Sequence, residues 1–82
     1  MRDLVTNKAV NSFYKADGTK KDIYNVYFRE DMYNYCISNL DEKQSIDIVN
    51  ALNNPEITTD RIKIKLAFIH AEIRIDSVIH SL

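Results

Sequence analysis

The last third of the chain, residues 60–82, constrains the fold most, because it contains no glycine, proline or asparagine. At about 100° per residue, its apolar side chains fall into two stripes on opposite sides of a helix. One stripe holds Ile62, Leu66, Ile69 and Ile73, and the other holds Ile64, Phe68, Ala71, Ile75, Val78 and Leu82. A surface helix carries one apolar stripe. Two stripes therefore predict one long helix with neighbours on two sides.

A strand competes with this helix at its start. Residues 62–68 alternate apolar side chains with Lys63, Lys65 and Ala67, which is the period of a half-buried strand. Strands usually end after about six residues, whereas the helical spacing continues through the whole segment. Length therefore favours the helix.

The first part of the chain allows two interpretations. Val5, Ala9 and Phe13 share one helical face, and Gly18 would then be the glycine that ends the helix. Alternatively, Asp17-Gly18 is a strong β-hairpin turn, with residues 23–28 as the returning strand. We take the helix over residues 3–16 as the prediction and keep the hairpin as the alternative.

Two further helices are predicted in the middle. Asp22 is a candidate cap for a helix that reaches about Ser38, and residues 30–37 are helical in either interpretation. Asn39 with Glu42 has the form of a capping box. The buried stripe of this third helix would be Ser45, Ile48, Val49 and Leu52. Asn53-Asn54-Pro55 would end it, and Thr59 would cap the last helix.

The expected fold class is therefore mainly α, a small helical bundle around one long C-terminal helix, forming a single domain over residues 1–82. The alternative is an α+β fold with an N-terminal β-hairpin that turns at Asp17-Gly18. Hydrophobic residues are 45% and charged residues 28% of the chain, which is typical of a soluble domain.

No residue pattern indicates catalysis. Cys36 is the single cysteine, so it predicts neither an internal disulfide nor a Cys/His metal site, and a small core residue is the simpler interpretation. His70 and His80 do not share a metal-binding spacing. The neighbouring carboxylates of Glu30-Asp31 and of Asp41-Glu42 would point about 100° apart on a helix, so neither pair would form a site that shares a proton. With a single glycine, the chain cannot build a glycine-rich phosphate-binding loop. We predict no catalytic, cofactor or metal residue, and no enzyme.

Charge and apolar pattern together indicate a binding protein. Residues 1–21 carry a net charge of +3, residues 22–60 of −6 and residues 61–82 of +2. An acidic middle could meet a basic partner. The predicted partner-binding residues are Glu30, Asp31, Asp41, Glu42 and Asp47. The second apolar stripe predicts a homo-oligomer. The predicted self-association residues are Ile64, Phe68, Ile75, Val78 and Leu82.

The function predicted from the sequence is a small, non-enzymatic protein–protein interaction module. The richness in Ile, Asn and Lys points to an AT-rich genome, so an inhibitor or regulator from a phage or similar mobile element is the expected kind of protein. No secretory or membrane-spanning segment is visible, and a cytoplasmic location is expected. The alternative function is a nucleic-acid-binding regulator that uses its N-terminal lysines, although the acidic middle makes nucleic acid the less favoured partner.

Overall fold

The computed structural model describes residues 2–79, which form a four-stranded antiparallel sheet and two helices. The elements are β1 (Arg2–Tyr14), β2 (Lys20–Glu30), β3 (Tyr33–Leu40), α1 (Glu42–Leu52), α2 (Thr59–Phe68) and β4 (Glu72–Val78). The order of strands in the sheet is β1-β2-β3-β4. Each strand therefore lies beside its neighbour in sequence, and both helices belong to the connection between β3 and β4.

The core lies between the helices and one face of the sheet. Alternate residues of a strand point to the same face, so Val26 and Phe28 of β2 face the helices, together with Ile37 of β3. They pack against the buried sides of the two helices. The helix residues of this cluster are Ile48, Leu52, Ile62 and Leu66. Burial of each such side chain stabilises the fold by about 1.5–3 kcal/mol.

The expected helical bundle is wrong. Residues 3–16 and 22–38, for which the sequence predicts helices, lie in β1, β2 and β3 and in the two turns between these strands. Residues 30–37 contain the end of β2, the β2–β3 turn and the first five residues of β3, with Asp31 in the left-handed region at φ 58°. The physical reason is that residues 23–37 are rich in aromatic and β-branched side chains, which favour a pleated, half-buried surface over a helix.

The prediction of one long C-terminal helix is also wrong, because α2 ends at Phe68. His70 adopts a left-handed conformation at φ 58°, and the Ala71 N–H donates to the Leu66 carbonyl oxygen at 3.0 Å. These contacts close α2 and turn the chain into β4. The competing strand interpretation of residues 62–68 is not observed either, since those residues are helical. Strand structure occurs a few residues later, over Glu72–Val78.

The alternative interpretation of the N-terminal region is observed. Gly18 takes φ 87°, and its N–H donates to the Lys15 carbonyl oxygen at 2.9 Å. Lys15 N–H donates to the Thr19 carbonyl oxygen at 2.8 Å and closes the hairpin. Asp17 and Gly18 therefore turn β1 into β2, as the dipeptide indicates.

The third predicted helix is present as α1, with a corrected start. Its cap is Asp41 rather than Asn39: the Gln44 N–H donates to Asp41 Oδ1 at 2.7 Å, and the Asp41 N–H donates to Gln44 Oε1 at 3.0 Å. Ser45, of the predicted stripe, is buried with Ile48 and Leu52, while Val49 is half-buried, and Asn53 ends the helix. For α2 the cap is Thr58 rather than Thr59.

The β1–β2 hairpin extends past the rest of the sheet. Pairing between β2 and β3 ends at Tyr24 and Leu40, so residues 10–23 pair only within the hairpin. We call residues 10–23 the arm and the remainder of the described chain the body. The molecule measures 50 × 28 × 17 Å along its principal axes.

Candidate functional site

The residues that could carry chemistry are kept apart or buried. Among residues 2–79, no group of three or more His, Cys, Asp or Glu side chains is placed to hold a metal ion. Cys36 is fully buried in β3, and burial raises the pKa of its thiol. The thiol is therefore protonated at neutral pH and is a poor nucleophile. His70 is exposed at the α2–β4 turn, and His80 lies outside the described residues.

The five predicted partner-binding acids do not form one surface. Glu30 and Asp31 lie at the β2–β3 turn, whereas Asp41 and Glu42 lie at the start of α1. The eight residues of β3 separate these two pairs, a distance of roughly 25 Å at 3.3 Å per residue. Asp47 is exposed on α1. The acidic middle of the sequence is thus spread over opposite ends of the body.

Three of these acids have partners inside the protein. Glu30 Oε1 accepts a hydrogen bond from the Thr59 hydroxyl at 2.7 Å. Asp41 caps α1, and Glu42 Oε2 accepts from the Tyr24 hydroxyl at 3.2 Å. Burial and the nearby Glu42 carboxylate both raise the pKa of Tyr24. These three acids therefore make contacts within the body.

The predicted self-association residues fall into two separate groups. Ile64 and Phe68 lie on α2, where 60% and 81% of their surface is exposed. Ile75 and Val78 lie on β4 and are 53% and 46% exposed. Leu82 lies outside the described residues. The single apolar stripe that would have joined them does not exist, because α2 and β4 are different elements.

A groove of about 580 Å³ runs along α2 beside the end of α1. We call it the α1–α2 groove. Its apolar lining includes Ala51 of α1, Ile57 of the connection and Ile64 and Phe68 of α2. Arg61 and Lys65 add two positive charges to the same lining.

Helical spacing explains why α2 has this second apolar surface. Ile62 and Leu66, four residues apart, point into the core and are buried. Ile64 and Phe68 have the same spacing but lie on a different side of the helix, so the sheet cannot cover them. The helix therefore presents apolar side chains both to the core and to solvent.

A second cavity surrounds Arg2, whose side chain is only 5% exposed. Its guanidinium donates to the carbonyl oxygens of Leu52 and Asn54, both at 3.1 Å, and to that of Ile57. It also lies 3.9 Å from Glu30 Oε2. Arg2 thus ties the start of β1 to the α1–α2 connection. Sequence reasoning missed this residue, because a single arginine near a chain start has no distinguishing pattern.

The arm brings together basic and aromatic side chains. Phe13 pairs across the hairpin with Lys21, and Tyr14 pairs with Lys20. Tyr14 is 74% exposed, and Phe13 is also exposed. Because neighbouring residues of a strand point to opposite faces, each face of the arm carries one aromatic–lysine pair.

Comparison with known proteins returns no relative: no protein-family model, no curated protein and no solved structure matches this chain. Over the described part of the chain, neither helix is long and apolar enough to cross a membrane.

Proposed function

We propose that this protein is a non-enzymatic protein-binding module, a regulator or inhibitor of another protein, and that the α1–α2 groove is its contact surface. The observation that carries the proposal is the exposure of Phe68 and Ile64 beside a concave, mainly apolar surface. Adjacent exposed apolar groups of this kind mark interaction sites. Buried aromatic anchors at the centre of an interface supply much of its binding energy.

The charges around the groove define the chemistry of the partner. Arg61 and Lys65 are the charged residues of the lining, and both are basic. A complementary segment would place apolar side chains against Ile57, Ile64 and Phe68, and carboxylates beside the two basic groups. An acidic amphipathic helix has this arrangement, with apolar residues at positions i, i+3, i+4 and i+7.

The test compares three forms of the purified protein as bait in an extract of the source cell. Phe68→Ala removes the proposed anchor, while Ile46→Ala removes an exposed apolar side chain of α1 outside the groove. We expect a partner that the wild type and Ile46→Ala retain equally. Phe68→Ala should bind it at least about 30-fold more weakly, because loss of an anchor costs about 2 kcal/mol or more.

Charge reversal sharpens this test. Lys65→Glu should weaken binding of the captured partner, and added salt should reduce the difference from the wild type, because the contact is at the solvent-exposed rim. Equal affinity of the Phe68→Ala variant and the wild type, measured by titration with the isolated partner, would remove the groove as the contact surface.

A second candidate function is favoured by the arm. Lys20 and Lys21 lie opposite Tyr14 and Phe13, and basic residues beside aromatic rings bind single-stranded nucleic acid by charge and stacking. We expect the Tyr14→Ala/Lys20→Ala variant to lose binding to a fluorescent single-stranded DNA, with Lys63→Ala as the control from α2. No binding by the wild type at low salt would exclude this candidate.

We also propose that the chain self-associates. The support comes from Ile75 and Val78, which are half-exposed on an edge strand rather than in the core. This part of the proposal is independent of the groove, since the residues of β4 do not line it. Light scattering that shows a monomer at high micromolar concentration would contradict it.

A further inference from the structure

One face of the sheet points away from both helices. In β2, Val26 belongs to the core and the Tyr24 hydroxyl donates to Glu42 of α1, so both side chains point towards the helices. Alternate residues of a strand point to opposite faces, and Ile23, Asn25 and Tyr27 therefore point the other way. We call that side of the sheet the open face, because the core and both helices lie on the other side.

Four cross-strand pairs of β1 and β2 follow one another on the open face. They are Phe13–Lys21, Asn11–Ile23, Lys8–Asn25 and Thr6–Tyr27, and we call these eight residues the β1–β2 row. The register shift between Ala9 and Asn11 moves β1 by one residue, so Asn11 and Phe13 share the face of Lys8 and Thr6. Tyr27 lies six residues after Lys21 in β2, which makes the row roughly 20 Å long at about 3.3 Å per residue. The row therefore runs from the arm into the body.

The charge of the β1–β2 row is positive. Its eight residues include two lysines, of which Lys8 is exposed and Lys21 half-buried, and no acidic residue. Acids near the body end of the row already have basic neighbours: Asp3 lies 3.2 Å from Arg29 Nε, and Asp76 lies 3.6 Å from Arg74 Nη2. The row therefore complements a ligand with a line of negative charges, such as a phosphate backbone.

Aromatic rings stand at both ends of the β1–β2 row. Phe13, at the arm end, is 45% exposed. Tyr27, at the body end, is half-buried, and its hydroxyl accepts from Asn25 Nδ2 at 3.2 Å. A cavity of about 220 Å³ opens beside Tyr27, and Asn34 and Ser77 are part of its lining. Aromatic rings stack on unpaired bases, and polar side chains of this kind form hydrogen bonds with base edges.

We propose that a single-stranded nucleic acid binds along the β1–β2 row, with phosphates beside Lys8 and Lys21 and bases against Phe13 and Tyr27. The inference rests on the second candidate function and extends its site from the tip of the arm into the body. A single strand is favoured over a duplex because its bases are free to stack on protein rings. An acidic polypeptide would neutralise the lysines but would offer no bases to the two rings.

Loss of a ring tests the arm end of the row. Binding is measured by fluorescence anisotropy with labelled oligothymidine and oligouridine of about ten nucleotides, which is long enough to cover the row at 3.4 Å per nucleotide. Phe13→Ala should weaken binding of both probes at least about fivefold, because one base loses its stacking partner. Phe68→Ala is the matched control: it removes the same side chain from α2, where 81% of it is exposed, and should bind like the wild type.

Charge reversal tests the body end of the row. Lys8→Glu should weaken binding and lower the slope of log K against log salt by at least about 0.7, which is the contribution of one phosphate contact on a single strand. Lys63→Glu is the matched control, because Lys63 is equally exposed on α2. Both lysines are exposed, so thermal unfolding by circular dichroism should show that each variant folds like the wild type.

The outcomes separate this inference from the second candidate function. Wild-type affinity of Lys8→Glu, together with lost binding in Tyr14→Ala/Lys20→Ala, would confine the site to the tip of the arm and overturn the inference alone. No binding of either probe by the wild type at low salt would overturn both. Displacement of the probe by polyglutamate at equal charge concentration would show that charge suffices without stacking, and would overturn the choice of ligand.

Discussion

The body and the arm share the same two strands but are stabilised in different ways. In the body, β2 contributes the fully buried Val26 and Phe28 to a core that both helices complete. In the arm, every residue from Val10 to Lys20 is exposed. The body is therefore stabilised by burial of apolar side chains. The arm is stabilised by the backbone hydrogen bonds between its two strands and by its turn.

This difference indicates how the molecule moves. An isolated two-stranded hairpin is at best marginally stable in water, and regions with few buried contacts open without global unfolding. We expect the arm to open locally while the body remains folded. The α1–α2 groove and β4, which belong to the body, would then be rigid contact surfaces, whereas the arm would order when it meets a partner.

The largest expected effect is that of Arg2→Ala on the body. It removes the donors to Leu52, Asn54 and Ile57 and leaves Glu30 without its positive neighbour. Loss of a hydrogen bond to a charged group costs about 1.5–3 kcal/mol, and we expect a loss of at least that size in the free energy of unfolding measured with urea. Arg29→Ala is the control, because it breaks the exposed pair with Asp3.

That exposed pair joins Arg29 Nε to Asp3 Oδ1 at 3.2 Å. Its loss should cost less than about 1 kcal/mol. Equal effects of Arg2→Ala and Arg29→Ala would show that the α1–α2 connection does not depend on Arg2, and that the body is held by its apolar core alone.

A smaller effect is expected from Gly18→Ala in the arm. Gly18 has φ 87°, and an added Cβ would meet no atom within 4 Å, so only the backbone conformation is disfavoured. The penalty of roughly 1 kcal/mol should appear as about fivefold faster hydrogen exchange at arm amides such as that of Thr19. The urea midpoint should not change. A midpoint shift that corresponds to the whole penalty would show that arm and body unfold together.

The difference between local and tertiary interactions also explains which features the sequence could predict. Signals that act over a few residues are informative: Asp17-Gly18 indicates the observed turn as the alternative interpretation, and the end of α1 and three of the four residues of its buried stripe are confirmed. The start of α1 was displaced by two residues because Asn39, Leu40, Asp41 and Glu42 offer two possible caps. Asn39 instead takes φ 68° and donates from Nδ2 to the His70 carbonyl oxygen at 3.0 Å.

Features that depend on tertiary contacts were not predictable. The change from α2 to β4 occurs at His70, and neither the glycine nor the proline that usually marks a helix end stands there. Ile69 and Ile73 continue the spacing of three and four residues past the end of α2. The helix and the following strand therefore form one continuous apolar pattern in the sequence. Ile64, Phe68 and Ile75 were identified as apolar surface residues, but their division between a groove and a sheet edge follows from the fold.

The smallest expected effect concerns acid and the arm. The Thr19 hydroxyl donates to Asp17 Oδ1 at 2.6 Å, and the Thr19 N–H donates to the same oxygen at 3.0 Å. These bonds, the hydroxyl's first, lower the pKa of Asp17 below its ordinary value of 3.8. A carboxyl whose pKa is lower in the folded state stabilises that state above its unfolded pKa, and the contribution is lost as pH falls through the folded value.

Acid should therefore loosen the turn only below pH 3.8, and NMR titration of the Asp17 carboxyl and the Thr19 amide should show a common midpoint there. Thr19→Val keeps the backbone donor but removes the hydroxyl, so it should raise the Asp17 midpoint towards its ordinary value. A wild-type midpoint at or above that value would mean that the two hydrogen bonds are not maintained in solution. The arm would then be open at its tip even at neutral pH, and its aromatic–lysine pairs would not be pre-arranged for a ligand.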